Sequence, residues 1–124
     1  VIYHNFWFTN CAPCMNELPN YNDLISATRE KNVEFVFYGA YMKIEEWRKT
    51  IDRFELEGKH HLLSKNQLAF FEKYFGVHGF PHHQIIKSNG HIGNKVHYGA
   101  YPSNFDEIMK LIDENQVTNN SGAK

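Results

Sequence analysis

The first eight residues of the chain form an almost continuous apolar and aromatic run, Val1-Ile2-Tyr3-His4-Asn5-Phe6-Trp7-Phe8. A run this short and this apolar is typical of a β-strand that is buried on both faces. Such a strand needs helices packed on both sides of its sheet. The opening residues therefore favour an α/β fold in which this strand is central.

Strand-like and helix-like segments alternate along the rest of the chain. The pattern predicts strands at 33–38, 60–63, 82–87 and 91–98, and helices after Pro13, over 44–54, over 64–75 and from 102. Pro19 should kink the first helix, because proline lacks the backbone donor that a helix interior needs. Strands separated by helices pair in parallel, and the turn at 88–90 predicts an antiparallel hairpin near the C-terminus.

Length and charge narrow the function classes. The 124 residues fit one domain, predicted over 1–115, with 116–124 as a disordered tail or a cloning remnant. Thirteen Lys and Arg residues against fourteen Asp and Glu residues give a formal charge of −1. This balance lacks the excess of positive charge that is typical of nucleic-acid-binding domains. The chain starts at Val1 inside an apolar run, so we expect the natural protein to be longer, with any targeting segment upstream.

The only two cysteines are separated by two residues, in Cys11-Ala12-Pro13-Cys14. They fall where the first strand ends and the first helix begins, so Cys11 should lie at a helix N-terminus that favours negative charge. A thiolate stabilised there is a nucleophile, and Cys14 is close enough to attack a mixed disulfide formed at Cys11. The predicted chemistry is thiol–disulfide exchange, with Cys11 attacking and Cys14 resolving.

Two other interpretations of the pair remain open at this point. A structural disulfide closing so short a loop would constrain the unfolded chain very little. A four-cysteine zinc site would need a second cysteine pair, which the chain lacks.

The run Phe6-Trp7-Phe8-Thr9-Asn10-Cys11-Ala12-Pro13-Cys14, followed by Glu17-Leu18-Pro19, resembles the TlpA/ResA-like branch of the thioredoxin fold. Gly79-Phe80-Pro81 before a strand and the Ser88-Asn89-Gly90 turn strengthen the resemblance, which extends from Val1 to about Asn115. It implies a thioredoxin fold: a central mixed β-sheet flanked by helices, with a C-terminal β-hairpin and helix.

The resemblance also implies roles for residues near the cysteines. Pro81 corresponds to the cis-proline that faces the CxxC pair, and its alternative is a trans proline at a strand edge. Phe80 would form a wall of the substrate groove, unless it is simply a core residue. Ala12, Pro13, Phe80 and Pro81 are therefore the expected substrate-binding residues.

Glu17 lies three residues after Cys14 and shares its helix face. In the resembled branch a glutamate at this offset handles protons for the cysteines, so Glu17 is the third candidate catalytic residue. Burial beside a sulfur would raise its pKa and let it act as a base for Cys14. The alternative is a first-turn glutamate that complements the helix dipole. Asn5 stands where thioredoxins carry a buried aspartate, and an amide cannot transfer that proton.

Eight histidines raise the question of a metal site. Adjacent histidines on a strand point to opposite faces, so neither His60-His61 nor His82-His83 chelates well alone. His82 or His83 could still approach Cys11, either to stabilise its thiolate or to complete a copper site. The predicted site contains no metal, and the competing hypothesis is a copper chaperone or a redox-sensing module.

The resemblance thus predicts an enzyme that reduces disulfides of other proteins through a Cys11–Cys14 dithiol, without a separate cofactor. It implies an extracytoplasmic location, in the periplasm or cell envelope, and a role such as cytochrome c maturation. It further implies a membrane thiol electron donor and a monomeric domain, part of a longer membrane-tethered chain.

Overall fold

A computed structural model describes residues 1–117. The strands are β1 (Ile2–Trp7), β2 (Glu34–Gly39), β3 (Lys59–Leu62), β4 (His82–Ile86) and β5 (Ile92–Val96). The helices are α1 (Ala12–Glu17), α2 (Tyr21–Ala27), α3 (Ile44–Phe54), α4 (Lys65–Phe75) and α5 (Phe105–Glu114). Short 3-10 turns at Leu18–Asn20 and Pro102–Asn104 precede α2 and α5.

The five strands form one mixed sheet in the order β3-β2-β1-β4-β5. Strand β1 pairs in parallel with β2 and antiparallel with β4, and the β4–β5 hairpin closes one edge of the sheet. The expected mixed sheet, with flanking helices and a C-terminal hairpin and helix, is confirmed. The hairpin strands are shorter than the apolar pattern suggested, and the last helix begins at Phe105, after a 3-10 turn, and not at 102.

Both faces of β1 are covered, as its composition predicted. Tyr3 and Asn5 point to the face covered by α2, where each contacts Tyr21. His4 and Phe6 point to the other face and pack against Phe71 of α4. Residues 3–7 are all buried.

Local sequence explains where the helices begin and end. Pro19 interrupts the first helical segment with a 3-10 turn, so α1 and α2 are separate, as the expected kink implied. At the start of α4, Ser64 and Gln67 form a reciprocal capping box. Gly76 ends α4 with a φ of 66°, a left-handed conformation in which glycine is not strained.

The last described residues bond to the domain. The side chain of Gln116 donates to the Asn32 carbonyl at 3.0 Å, and the Val117 amide donates to the Ser88 hydroxyl at 2.6 Å. The remainder of the predicted tail, 118–124, lies outside the described residues. Within residues 1–117, no helix combines the length and the apolarity needed to cross a lipid bilayer.

His4 generates a prediction about acid stability. Burial, reinforced by nearby His82, lowers its pKa from 6.5 to about 4. Between pH 6.5 and about 4, His4 is protonated in the unfolded chain but stays neutral in the folded protein. The free energy of unfolding therefore decreases as the pH falls through this range. In a His4→Phe variant, the decrease in the free energy of unfolding on acidification should be smaller by about 2 to 3 kcal/mol.

Denaturant unfolding at pH 4.5 and pH 7.5 measures the effect. The control is His91→Gln, because His91 is exposed in the hairpin turn. Equal pH slopes for His4→Phe and the parent protein would contradict the prediction.

Candidate active site at the cysteine pair

The cysteine pair lies at the expected junction between strand and helix. Cys11 is the N-cap of α1 with an extended backbone, and its sulfur accepts a hydrogen bond from the Cys14 amide at 3.3 Å. Pro13 lies in the first helical turn, where a missing N–H costs nothing. The two sulfurs are bonded as a disulfide. A charged sulfur at Cys11 would be stabilised by this amide and by the helix N-terminus.

The two cysteines differ in exposure. Cys11 is 6% exposed and is bordered by the exposed residues Ala12 and Pro13, whereas Cys14 is fully buried. Of the two, Cys11 is therefore the cysteine nearer to solvent. This asymmetry suits an attacking and a resolving role, in the order predicted from the sequence.

Antiparallel pairing brings the start of β4 beside the end of β1, with His82 opposite Phe6. Pro81 immediately precedes β4 and is half-buried, so it lies at the same sheet edge as the cysteine loop. The Phe80–Pro81 peptide bond is cis.

Phe80 belongs to a half-exposed aromatic cluster at this edge, together with Phe8 and Tyr41. Its ring centroid lies 5.4 Å from Phe8 and 5.8 Å from Tyr41, and the latter two are 5.6 Å apart. Tyr41 is 66% exposed and has a left-handed φ of 57°. Phe80 thus packs on the core with one side and leaves the other side free to contact a partner.

Tyr41 was missed by the sequence analysis. It follows β2 directly, and in α/β sheets the residues just beyond the carboxyl ends of parallel strands are the usual place for binding groups. That rule could have found it. Tyr41 also borders a cleft of about 840 Å³ between the residues that follow β2 and β3, which includes Met42, Glu46 and Leu63.

Glu17 is 1% exposed and is the last residue of α1. The idea that it complements the dipole in a first helical turn is therefore wrong. Its carboxylate accepts hydrogen bonds from the Tyr21 hydroxyl at 3.1 Å and from the Ala100 amide at 2.9 Å. It also contacts the Nε2 atom of His83 at 2.7 Å. Every bond to this buried carboxylate thus comes from another element of the fold.

The polar network continues from Glu17 toward β1. The Asn5 side chain donates to the Tyr21 hydroxyl at 2.8 Å, and the Tyr3 hydroxyl lies 3.5 Å from the same oxygen. Burial raises the pKa of both tyrosines well above 10, so both hydroxyls stay protonated. Asn5 therefore supports the base candidate through Tyr21 without exchanging a proton itself.

The adjacent histidines of β4 point to opposite faces, as strand geometry requires. His83 contacts Glu17, and the Nε2 atom of His82 lies 3.1 Å from the amide oxygen of Gln84. Neither ring has a sulfur as its hydrogen-bonding partner, so the expectation that one of them acts on Cys11 directly finds no support. Residues 1–117 contain no group of three or more His, Cys, Asp or Glu arranged to hold a metal ion.

His83 as the partner of Glu17 was also missed. The available signal was a polar residue in a strand whose five residues are all buried, since such a group requires a partner. The partner itself was not identifiable, because it lies 66 residues earlier in the chain.

Comparisons with known proteins agree with this geometry. A family model described as Thioredoxin-like matches residues 1–92. The thiol-disulfide oxidoreductase ResA of Halalkalibacterium halodurans is 29% identical over 112 residues, and the match covers 90% of this chain. This chain spans 61% of the length of that relative.

Two solved structures share the fold. The thioredoxin domain of a thiol-disulfide oxidoreductase from Bacteroides vulgatus superposes with a TM-score of 0.77 at 22% identity, covering 90% of this chain and 78% of that one. A thiol:disulfide interchange protein from Chlorobium tepidum gives a TM-score of 0.76 at 18% identity, covering 90% and 79%. The predicted thioredoxin fold and the resemblance to ResA-like proteins are confirmed.

The exposure difference between the cysteines predicts the order of alkylation. In the reduced protein, iodoacetamide should label Cys11 about an order of magnitude faster than Cys14, because Cys11 is the more exposed of the two and has its sulfur at a helix N-terminus. Timed quenching followed by peptide mass spectrometry measures both rates. Unfolding in denaturant is the control and should make the two rates similar. Faster labelling of Cys14 in the folded protein would reverse the assignment.

Proposed function

The chain belongs to the thioredoxin-like family, and we propose that it is a thiol–disulfide oxidoreductase that reduces disulfides of other proteins. The observation that carries the proposal is the bonded pair Cys11–Cys14 at a helix N-terminus, with Cys11 6% exposed and Cys14 fully buried. The two cysteines carry the two electrons, so the reaction needs no separate cofactor.

The proposed reaction has two exchange steps. The Cys11 thiolate attacks one sulfur of the substrate disulfide, forming a mixed disulfide and releasing the other substrate sulfur as a thiolate. Cys14 then loses its proton to the Glu17 carboxylate and attacks the Cys11 sulfur. The second substrate sulfur leaves as a thiolate, and Cys11–Cys14 is the oxidised product. Two electrons have moved to the substrate.

Substrate contact is proposed along the edge formed by Ala12, Pro13, Phe80 and Pro81. The peptide backbone beside Pro81 offers hydrogen-bonding groups to an extended substrate segment, as in strand addition. The exposed side of Phe80 offers an apolar wall next to the reacting sulfur. The cleft beyond Tyr41, at about 840 Å³, lies within the size range of pockets that take side chains or small ligands.

The proposed setting is extracytoplasmic, in the periplasm or cell envelope, where protein disulfides form and persist. A membrane thiol donor would return the oxidised pair to the dithiol, and the domain would act as a monomer. Membrane tethering and a role in cytochrome c maturation rest only on the resemblance to the TlpA/ResA-like branch.

The first test is catalysis of insulin disulfide reduction with dithiothreitol as the donor and no added cofactor. The parent protein should accelerate precipitation of the insulin B chain, and Cys11→Ser should lower the rate to the uncatalysed background, because the nucleophile is gone. Cys14→Ser is the matched control: it should still attack but accumulate the mixed disulfide, visible as an added mass. Absence of exchange activity in the parent protein would reject the proposed function.

The second test concerns the aromatic wall. Phe80→Ala should lower kcat/KM for a protein disulfide about tenfold, since further burial of a half-exposed phenyl ring is worth roughly 1.4 kcal/mol. It should change the rate with a small hydrophilic disulfide far less, because such a substrate has little apolar surface to bury against the phenyl ring. Phe70→Ala is the matched control, as Phe70 is a half-exposed ring on α4 away from the site. Equal losses in the two variants would place the effect in stability and not in substrate binding.

A further inference from the structure

The hydrogen bonds of His83 and Glu17 determine how many protons the imidazole ring and the carboxyl group carry together. The Nδ1 atom of His83 lies 3.1 Å from the Val96 carbonyl oxygen, which can only accept, so Nδ1 carries a proton. Nε2 faces both carboxylate oxygens of Glu17, at 2.7 and 3.0 Å. A contact this close between two groups that both accept when deprotonated requires one proton between them. The pair is therefore neutral overall and shares a single proton, on the ring or on the carboxyl.

This pair links the helix of the buried cysteine to a small cavity that His83 lines. Cys14 and Glu17 occupy one face of α1 at a spacing of three residues, and neither side chain reaches solvent. His83 lines a cavity of about 290 Å³ together with Pro81, Lys95 and His97. A proton that leaves Cys14 has no direct contact with water, whereas one on His83 lies beside this cavity.

The other titratable groups near the pair do not compete for this proton. Tyr3 and Tyr21 stay protonated because burial raises their pKa, and burial also raises the pKa of Tyr98. His82 points to the other face of β4, and burial lowers its pKa, which keeps it neutral near pH 7. Lys95 and His97 line the cavity beside His83.

We propose that His83 is a positioning residue for the exchange reaction: it holds Glu17 behind the cysteine pair and passes the proton of Cys14 between Glu17 and the cavity beside Pro81. The inference rests on the proposed function. When Cys14 attacks Cys11, its proton moves to the Glu17 carboxylate, and the pair then holds one proton more than at rest. It returns to its neutral state by releasing one proton to water in the cavity. In the opposite direction the same groups protonate the Cys14 thiolate.

The test is the pH dependence of the resolving step. Single-turnover reduction of a peptide disulfide by the dithiol form is followed from pH 5 to pH 9 in the parent protein, Glu17→Gln, His83→Gln and the double variant. Glu17→Gln should slow the resolving step about a hundredfold at neutral pH, the usual size of a lost general base. His83→Gln should slow it about tenfold and change the shape of the profile, since glutamine can hold Glu17 but cannot take up a proton. The double variant should be no slower than Glu17→Gln, because the two groups act as one unit.

The control is His4→Gln, which replaces a buried histidine on the opposite face of the sheet and should leave the profile unchanged. A His83→Gln profile with the parent's shape, or effects that multiply in the double variant, would overturn the inference while the proposed function stands. Loss of exchange in the parent protein, to the level of Cys11→Ser, would instead reject the function itself.

A measurement without substitutions guards against a variant that does not fold. In the ¹⁵N NMR spectrum of the parent protein, His83 should carry a proton on Nδ1 in both the oxidised and the dithiol forms. Its Nε2 shift should respond to reduction of the disulfide. A ring protonated on Nε2 alone, or an Nε2 shift insensitive to the redox state, would contradict the shared proton.

Discussion

Strand β1 hydrogen-bonds to β2 on one side and to β4 on the other, and this double pairing positions every part of the candidate site. The parallel register with β2 brings the residues after both strands to one edge of the sheet, where the cysteine loop and Tyr41 lie. The antiparallel register with β4 brings Pro81 to the same edge. A shift of one residue in the β1–β4 ladder would turn His83 to the opposite face of the sheet and separate it from Glu17.

Burying polar side chains against one face of β1 costs folding free energy. A carboxylate and an imidazole with almost no exposed surface are tolerated only because each has several partners. Glu17 is bonded from three other parts of the chain: a neighbouring helix through Tyr21, strand β4 through His83, and the loop before α5 through Ala100. Apolar side chains of similar volume in place of Glu17 and His83 would fill the same space without needing hydrogen-bond partners. A fully satisfied buried pair whose carboxylate lies on the helix that carries the reactive cysteines is therefore better explained by chemistry than by stability.

The order of elements, the central strand, the break at Pro19 and the capping box at Ser64 all followed from local patterns, because each depends on residues close in sequence. The cysteine pair followed for the same reason, as its chemistry depends on a strand-to-helix junction within a few residues. The role of His83 did not follow. Alternation could show that His83 and its neighbour face opposite sides, but only the packing of α1 across the sheet determines that Glu17 lies opposite. Tyr41 escaped because an exposed aromatic residue after a strand has no periodic signature.

The asymmetry between the two sulfurs links these observations. Cys11 is next to the surface: its neighbours are the exposed residues Ala12 and Pro13, and a charge on its sulfur would be stabilised by the Cys14 amide. Cys14 belongs to the interior, where a charge has only polar side chains to stabilise it. The formal charge of −1 provides little long-range attraction, so in the proposed reaction the substrate would be selected by contact near Cys11. The inner sulfur then needs no access to the substrate at all, only a place for its proton, and the buried carboxylate three residues further along its helix is in position to accept it.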